Sequence, residues 1–437
     1  MRFFRRFFPL IIVISYLLTF PLSLVAAEGD EYTIISKEGA SNIALVLDQL
    51  DGQKRGDLGV AQSLDAIITA GLEFPGLFTL IPPPLHAKDG NVREHLVINF
   101  PVLRDVAAQL YATGVVTKTG TTVNLAMEVY DIAGAKSLFS KTYHGNEQQL
   151  RMIGHAFCAD LVEQFTGKRS VFGSKIVFVS TKTGSKEIYQ CDFDGQGVEQ
   201  LTALHSITLT PAYSPDGKFL AYTDFSSGRP RLSIRNLAAK TTVSVASSGI
   251  SIDPAWRNNR ELATTLSLEG DQEIYLIKAN GVVARRLTKS DGIDLSPTFS
   301  PDGSQMAYVS DRNGQPQIFI QNLDSGQTRR LTFSGAYNTQ PSWSPVGDKI
   351  AFTMSGNGGQ MNICIINTDG SCLMQLTENS GNNESPAFSP DGGMIVFSSS
   401  RKGQKKLYTM SATGQNQRPL LRMDGEQTQP FWSLFRK

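Results

Sequence analysis

A six-bladed β-propeller preceded by a smaller α/β unit is the fold class this sequence predicts, and three observations predict it. A phrase of a proline, an aromatic two residues on and Ser-Pro-Asp-Gly or its remnant recurs six times, at Pro211, Pro254, Pro297, Pro341, Pro386 and Pro430. The steps between those prolines are 43, 43, 44, 45 and 44 residues, a period that belongs to four-stranded units arranged radially. The chain before about residue 169 carries no such repeat.

The first element is a targeting segment. Arg2, Arg5 and Arg6 precede an apolar run from Phe7 to Leu24, and Val25-Ala26-Ala27 offers small residues for cleavage before Glu28, so residues 1–27 read as a signal peptide. An uncleaved anchor is the alternative, because the run is near the length of a membrane span.

Residues 28–168 read as the α/β unit. Tyr32-Thr33-Ile34-Ile35, Ile43 to Leu47 and Phe78 to Ile81 have strand composition, the last stopping at Pro82-Pro83-Pro84. Leu58 to Glu73 carries Leu64, Ile67, Ile68 and Leu72 at helical spacing. Leu103 to Tyr111 reads as a second helix. Gly114 to Thr117 and Val123 to Tyr130 read as a hairpin, followed by a strand over Leu138 to Tyr143. Gln148 to Phe165 is an amphipathic helix through Leu150, Ile153, Phe157, Leu161, Val162 and Phe165, stopped by Gly167.

Residues 169–437 read as the propeller. The aromatic of each phrase lies on an inner strand, and Ser-Pro-Asp-Gly suits a type I turn into a second strand such as Leu220-Ala221-Tyr222. A third strand follows in Glu187-Ile188-Tyr189, Glu273 to Leu276, Gln317 to Ile320 and Lys406-Leu407-Tyr408, with hairpin signals such as Asp194-Gly195 and Asn280-Gly281 after it. Fourth strands end in Leu201-Thr202, Leu287-Thr288, Leu331-Thr332 and Leu376-Thr377. Two pieces are left over. Lys175 to Ser180 is a second strand with no inner strand before it, and the phrase at Pro430 has no strands after it, so the two ends should complete one blade and leave no open edge. At Pro254 the segment is one residue shorter, and Trp256-Arg257-Asn258-Asn259 predicts a tighter turn.

Composition narrows the function. Without the three leader arginines the chain has 38 basic against 40 acidic residues, a net −2, which argues against a nucleic-acid partner. Four cysteines, at 158, 191, 364 and 372, are too few for a disulfide scaffold. Hairpin register around Asp369-Gly370 pairs Asn367 with Cys372 and sets Cys364 opposite Gln375, leaving those thiols roughly 10 Å apart at about 3.3 Å per residue. Buried free thiols are the reading that follows.

An enzyme finds few parts here. The five histidines, at 86, 95, 144, 155 and 205, form no HExxH pair, and no cysteine pair has zinc spacing. Gly167-Lys168-Arg169-Ser170 has the tail of a phosphate loop, but Val162 stands where its opening glycine belongs. No GxSxG elbow occurs. A peptidase gated by the propeller would need a hydrolase domain of roughly 200 residues, and none is expected after the ring. The Asp-Gly pairs are turns rather than calcium loops, and His155 on the amphipathic helix reads as a packed interface residue. No catalytic residue, metal ligand or cofactor is predicted.

The junction Gly154-His155-Ala156-Phe157-Cys158-Ala159-Asp160 continuing to Phe165-Thr166-Gly167, then Phe172 and Ile176-Val177-Phe178-Val179, together with the leader and the PxFSPDG blades, resembles the TolB family, periplasmic propeller proteins of the Tol-Pal system. The resemblance covers nearly everything after the leader. It implies a non-enzymatic periplasmic protein that binds the peptidoglycan-associated lipoprotein Pal at the propeller mouth and the inner-membrane-anchored TolA through the mature N-terminus, in envelope integrity and cell division; other outer-membrane or Tol proteins are further partners of this class. After signal cleavage such a protein does not span the membrane.

The positions before the inner-strand prolines that the resemblance assigns to the mouth are Ile250, Ser251, Asp253, Leu295, Ser296, Thr339, Gln340, Glu384 and Ser385. Family members often carry a histidine and an alanine near Ile250 and Asp253, which this sequence lacks. Glu28, Asp30, Glu31, Tyr32 and Ile34 belong to the freed N-terminus, which could add to a partner's sheet edge or form the first strand of the α/β unit. Two other classes fit the ring: an exported propeller hydrolase of the lactonase or esterase kind, with clustered carboxylates in the channel, and a generic periplasmic scaffold.

Overall fold

A computed structural model describes residues 42–89, 97–168, 170–245, 249–268, 270–356 and 358–434. The expected leader, the strand at Tyr32 to Ile35 and the N-terminal interface residues lie outside them.

In the α/β unit, β1 (Ile43–Leu47), α1 (Leu58–Glu73), β2 (Phe78–Ile81), α2 (Phe100–Arg104), β3 (Leu110–Thr119), β4 (Thr122–Asp131), β5 (Lys136–Asn146) and α3 (Leu150–Thr166) follow in order. The sheet order is β2-β1-β3-β4-β5, with β1 parallel to both its neighbours and β3, β4 and β5 antiparallel. Helices α1 and α3 cross at two glycines. A Cβ on Gly71 would meet the Cys158 Sγ at 2.9 Å, and one on Gly154 would meet the Ile67 Cγ2 at 2.7 Å, so larger residues would force the helices apart. Gly167 ends α3 in the left-handed region (φ 65°), its N–H donating to the Glu163 carbonyl at 2.8 Å.

One helix is corrected. The helix expected over Leu103 to Tyr111 holds only for its first two residues: α2 stops at Arg104, and Leu110 and Tyr111 open β3, where Leu110 to Ala112 pair with Leu45 to Leu47 of β1. Asn99 caps α2 by accepting the Val102 N–H at 3.4 Å. Pairing with a buried parallel strand overrides the weak local helix preference of the segment after Arg104.

Six four-stranded sheets follow. Their inner strands are Thr208–Tyr213, Ser251–Trp256, Asp294–Phe299, Asn338–Trp343, Asn383–Phe388 and Gln427–Trp432, numbered here as blades one to six. Blade six is the seam: Gln427–Trp432 pairs antiparallel with Lys175–Ser180, which continues to Glu187–Asp192 and Glu199–Gln200. The Lys175 N–H donates to the Ser433 Oγ and the Ser433 N–H to the Lys175 carbonyl, both at 2.8 Å.

The aromatic of each phrase is the wedge between blades. Trp256 shares an apolar cluster with Ala212 and Ala221 of blade one, Phe299 with Ala263 and Leu276 of blade two, and Trp343 with Ala307 and Ile320 of blade three. Phe388, Trp432 and Tyr213 do the same one blade further on. The Leu-Thr endings are latches: the Thr202, Thr288, Thr332 and Thr377 hydroxyls accept the N–H of Ile188, Ile274, Ile318 and Ile363 at 2.8 to 3.0 Å. Each hydroxyl then donates to the residue before that isoleucine, Glu187, Glu273, Gln317 or Asn362. At the shortened blade the Arg257 N–H meets the Glu261 carbonyl at 2.9 Å, a span one residue less than Ser214 to Phe219 in blade one.

The α/β unit rests on the seam. Phe74 meets Phe193 edge-on at 5.2 Å, the Arg418 guanidinium of blade five lies 4.5 Å over the Phe74 ring and donates to its carbonyl, and Arg151 bonds Asp194 at 3.0 Å. These contacts use the turn after the third strand of blade six and the fourth strand of blade five, so the α/β unit sits at the seam on the face where third strands turn into fourth. Cys364 stands opposite Gln375 as expected, but at the turn the Asn367 N–H bonds the Ser371 carbonyl at 3.0 Å, so Asn367 and Cys372 are not paired. All four cysteines are free; Cys158, Cys191 and Cys364 are buried, and Cys372 is exposed.

Candidate functional site: the channel and its mouth

Every inner strand carries a bulge at the same place. In blade one, Leu209 pairs with Thr223 and Ala212 with Ala221, so Thr210 and Pro211 together oppose one residue. The other five break register at the matching step. The first bulge residue is left-handed in each: Thr210 (φ 48°), Asp253 (55°), Ser296 (52°), Gln340 (53°), Ser385 (56°) and Gln429 (50°). None is glycine, so each costs on the order of 1 to 2 kcal/mol of backbone strain. The following proline has no N–H to lose on the channel side, where the inner strand has no ladder partner.

These six residues form a collar that lines a channel of about 350 Å³ with the prolines and residues after them. Three hydrogen bonds join them in adjacent pairs. The Gln429 Oε1 accepts the Thr210 N–H at 3.0 Å, the Asp253 Oδ2 accepts the Ser296 hydroxyl at 2.7 Å, and the Gln340 Oε1 accepts the Ser385 N–H at 2.9 Å. Of the described residues lining the channel, Asp253 alone is ionisable. Burial pushes its carboxyl above the usual carboxylate range, and the Ser296 hydroxyl pulls it partly back.

The face opposite the α/β unit is the mouth, where second strands turn into third and fourth strands run into the next blade. Ile207, Ile250, Ile293 and Tyr337 are exposed there, each four residues before its blade's proline, and Phe333 is 76% exposed beside them with the Arg330 guanidinium 4.9 Å over its ring. Blades five and six carry Asn382 and Glu426 at that position. An apolar arc therefore spans four consecutive blades and ends in polar residues.

The residues expected at the mouth divide. Asp253, Leu295, Ser296, Thr339, Gln340 and Ser385 line the channel, and Ile250 stands in the arc. Ser251 is buried, and Glu384 is held by Lys405 at 2.5 Å outside the channel lining. Thr210 and Gln429 line the channel and were missed, although their place before Pro211 and Pro430 marks them as equivalents. Phe333 was missed because it sits eight residues before its proline. His155 is packed, 5.6 and 5.0 Å from the Phe172 and Phe193 rings, and burial holds its imidazole below the ordinary range against the pull of Asp194.

No helix among the described residues is long and apolar enough to cross a membrane. Among the described residues no three His, Cys, Asp or Glu side chains converge as metal ligands would. A lone carboxylate supplies no acid–base pair. Fold and channel together define a class: a six-bladed propeller with an α/β unit on one face and an open, largely uncharged channel mouth on the other.

The chain belongs to the TolB family of the Tol-Pal system. Residues 162–436 match the family model described as the TolB beta propeller domain, and residues 33–138 match the TolB amino-terminal domain. The chain is 54% identical over 420 residues to the Protein TolB homolog of Chlorobium luteolum, covering 95% of each. It is 42% identical over 287 residues to the Tol-Pal system protein TolB of Desulfosudis oleivorans, covering 64% of this chain and 65% of the other. The crystal structure of TolB from Acinetobacter baumannii superposes with a TM-score of 0.78 at 24% identity over 90% of this chain and 97% of that one, a likeness of fold.

Proposed function

We propose that this chain is a non-enzymatic docking protein of the periplasm, which holds the peptidoglycan-associated lipoprotein Pal at the propeller mouth and reaches TolA through its mature N-terminus. The observation that carries the mouth is the apolar arc of Ile207, Ile250, Ile293 and Tyr337, with Phe333 in the connection between blades three and four, on the face opposite the α/β unit. Exposed aromatic and branched apolar side chains rimmed by polar residues are what a protein partner buries. The collar of Asp253, Ser296, Gln340 and Ser385 lies at the base of that surface and adds polar groups for register.

The N-terminal half of the reading rests on family membership and on the acidic, then apolar, run Glu28, Asp30, Glu31, Tyr32 and Ile34. Such a segment can pair with a partner's strand. The role that follows is a link between envelope layers during division.

Retention of purified Pal from the same organism by the immobilised chain tests the mouth. Full retention by a chain carrying Ile250→Asp and Ile293→Asp would sink this assignment. N-terminal sequencing of protein released by osmotic shock tests the compartment: a first residue of Glu28 supports it, and retention of the leader in the membrane fraction rejects it.

A further inference from the structure

We propose that the channel is a receptor for a single cationic side chain, a lysine or arginine presented by the protein bound at the mouth, with the Asp253 carboxylate as its counter-ion; the identity of that protein rests on the reading above. Among the described residues Asp253 is the one ionisable group in the lining, set at a left-handed bulge position that holds it against the channel. Its Oδ2 takes the Ser296 hydroxyl at 2.7 Å, and its Oδ1 accepts no hydrogen bond from the described residues. A half-buried carboxylate without a cation carries a desolvation cost, and a donor arriving from outside relieves that cost with a charge-assisted bond.

The other ionisable groups on the inner strands are already engaged. Asp294 is paired with Arg312 at 2.8 Å, Glu384 with Lys405 at 2.5 Å, and the Tyr213 hydroxyl donates to Gln190. Among the described residues no basic side chain lines the channel. Its 350 Å³ compares with the roughly 30 Å³ a water occupies in the liquid, so a linear side chain of several heavy atoms fits. The raised proton affinity of Asp253 is consistent with a site awaiting its cation.

The sign of the pH dependence separates this from other occupants. A cation binds the ionised carboxylate, so affinity should rise with pH as Asp253 loses its proton. An apolar or acidic group binds best to the neutral acid, and affinity would fall.

Two measurements on the full chain decide it. In the first, n-butylguanidinium is titrated while the Asp253 carboxyl ¹³C resonance is followed against pH. A saturable response that lowers the apparent pKa of Asp253, with no uptake by Asp253→Asn, is expected; no saturable response, or equal uptake by the variant, overturns the proposal. In the second, Pal binding is measured by calorimetry from pH 5 to 8 with and without EDTA. Affinity is expected to rise with pH in both conditions and to fall roughly tenfold or more in Asp253→Asn. An affinity that falls with pH, or a rise abolished by EDTA because a divalent ion carries the charge, overturns it. Uptake of butylguanidinium without retention of Pal rejects the named partner and keeps the cation site; equal Pal affinity in Asp253→Asn rejects the cation site and keeps the partner.

Discussion

Gln429 and Thr210 lie 219 residues apart in the chain, yet the Gln429 side-chain carbonyl accepts the Thr210 N–H at 3.0 Å across the junction of blades six and one. Both residues are left-handed and neither is glycine, so each bears strain that its hydrogen bond helps offset.

That arrangement predicts an inverted ranking of substitutions. Gln429→Ala removes the acceptor and keeps the strain, costing about 1 kcal/mol or more. Gln429→Gly removes the acceptor but accepts the left-handed backbone freely, so it should be more stable than the alanine variant by about 1 kcal/mol. Urea midpoints compare them; an alanine variant equal to or more stable than the glycine one refutes the assignment of strain.

The seam should be the most sensitive blade junction to side-chain loss. Trp432 is 3% exposed, packs in the cluster shared with the α/β unit, and donates its indole N–H to the Ser174 Oγ at 2.9 Å. Trp432→Ala should cost about 3 to 5 kcal/mol and lower the melting temperature of both units together. Calorimetry showing an unchanged transition for the α/β unit would contradict this coupling.

Asp253 gives a pH-dependent stability of defined sign. Its folded pKa is raised, so the native chain keeps a proton over a range where the unfolded chain, near pKa 3.9, has lost it. Stability from this group therefore falls as pH rises from about 4 through the folded pKa. Asp253→Asn should be more stable than the native chain at pH 7.5, with the difference shrinking toward pH 4. A variant less stable at pH 7.5 would show that the carboxylate is already compensated.

Phe333 is the predicted anchor of the mouth. Phe333→Ala should weaken Pal binding roughly tenfold or more, while its exposure predicts a melting temperature near that of the native chain. Met374→Ala, exposed at a fourth strand away from the mouth, should leave binding unchanged. Equal losses from both would remove the arc from the interface.

The thiols divide by access. Cys372 is exposed, whereas burial pushes the Cys158 and Cys191 thiols well up and Cys364 up to about 12. Ellman's reagent should modify Cys372 rapidly in the folded chain and the other three only after denaturation. Fast modification of more than one would place another thiol at the surface.

Much of this was legible because each phrase residue has one local job. Proline, aromatic and Ser-Pro-Asp-Gly report a bulge, a wedge and a turn, and their spacing reports the ring. The helix assigned to Leu103 through Tyr111 failed beyond Arg104 because pairing of Leu110 to Ala112 with β1 is decided by a strand over 60 residues away. The left-handed collar was hidden for a different reason. A residue before proline reads as extended, and Thr, Asp, Ser and Gln carry no mark of a positive φ. Phe333 escaped because nothing local distinguishes an exposed aromatic that waits for a partner from one awaiting a core.

The reciprocal bonds between Lys175 and Ser433 join residues 258 positions apart, and this sets the order of events at the ribosome. Five blades can form as they emerge, but the strand Lys175–Ser180 has no inner neighbour until the final described strand has been made. A product of interrupted translation keeps a bare strand and a half-filled cluster beneath its α/β unit, a target for proteases and self-association. Synthesis of Gln427–Trp432 thus becomes the condition for a protected native state, and quality control of this chain is written into the distance along the chain between the two strands of its seam.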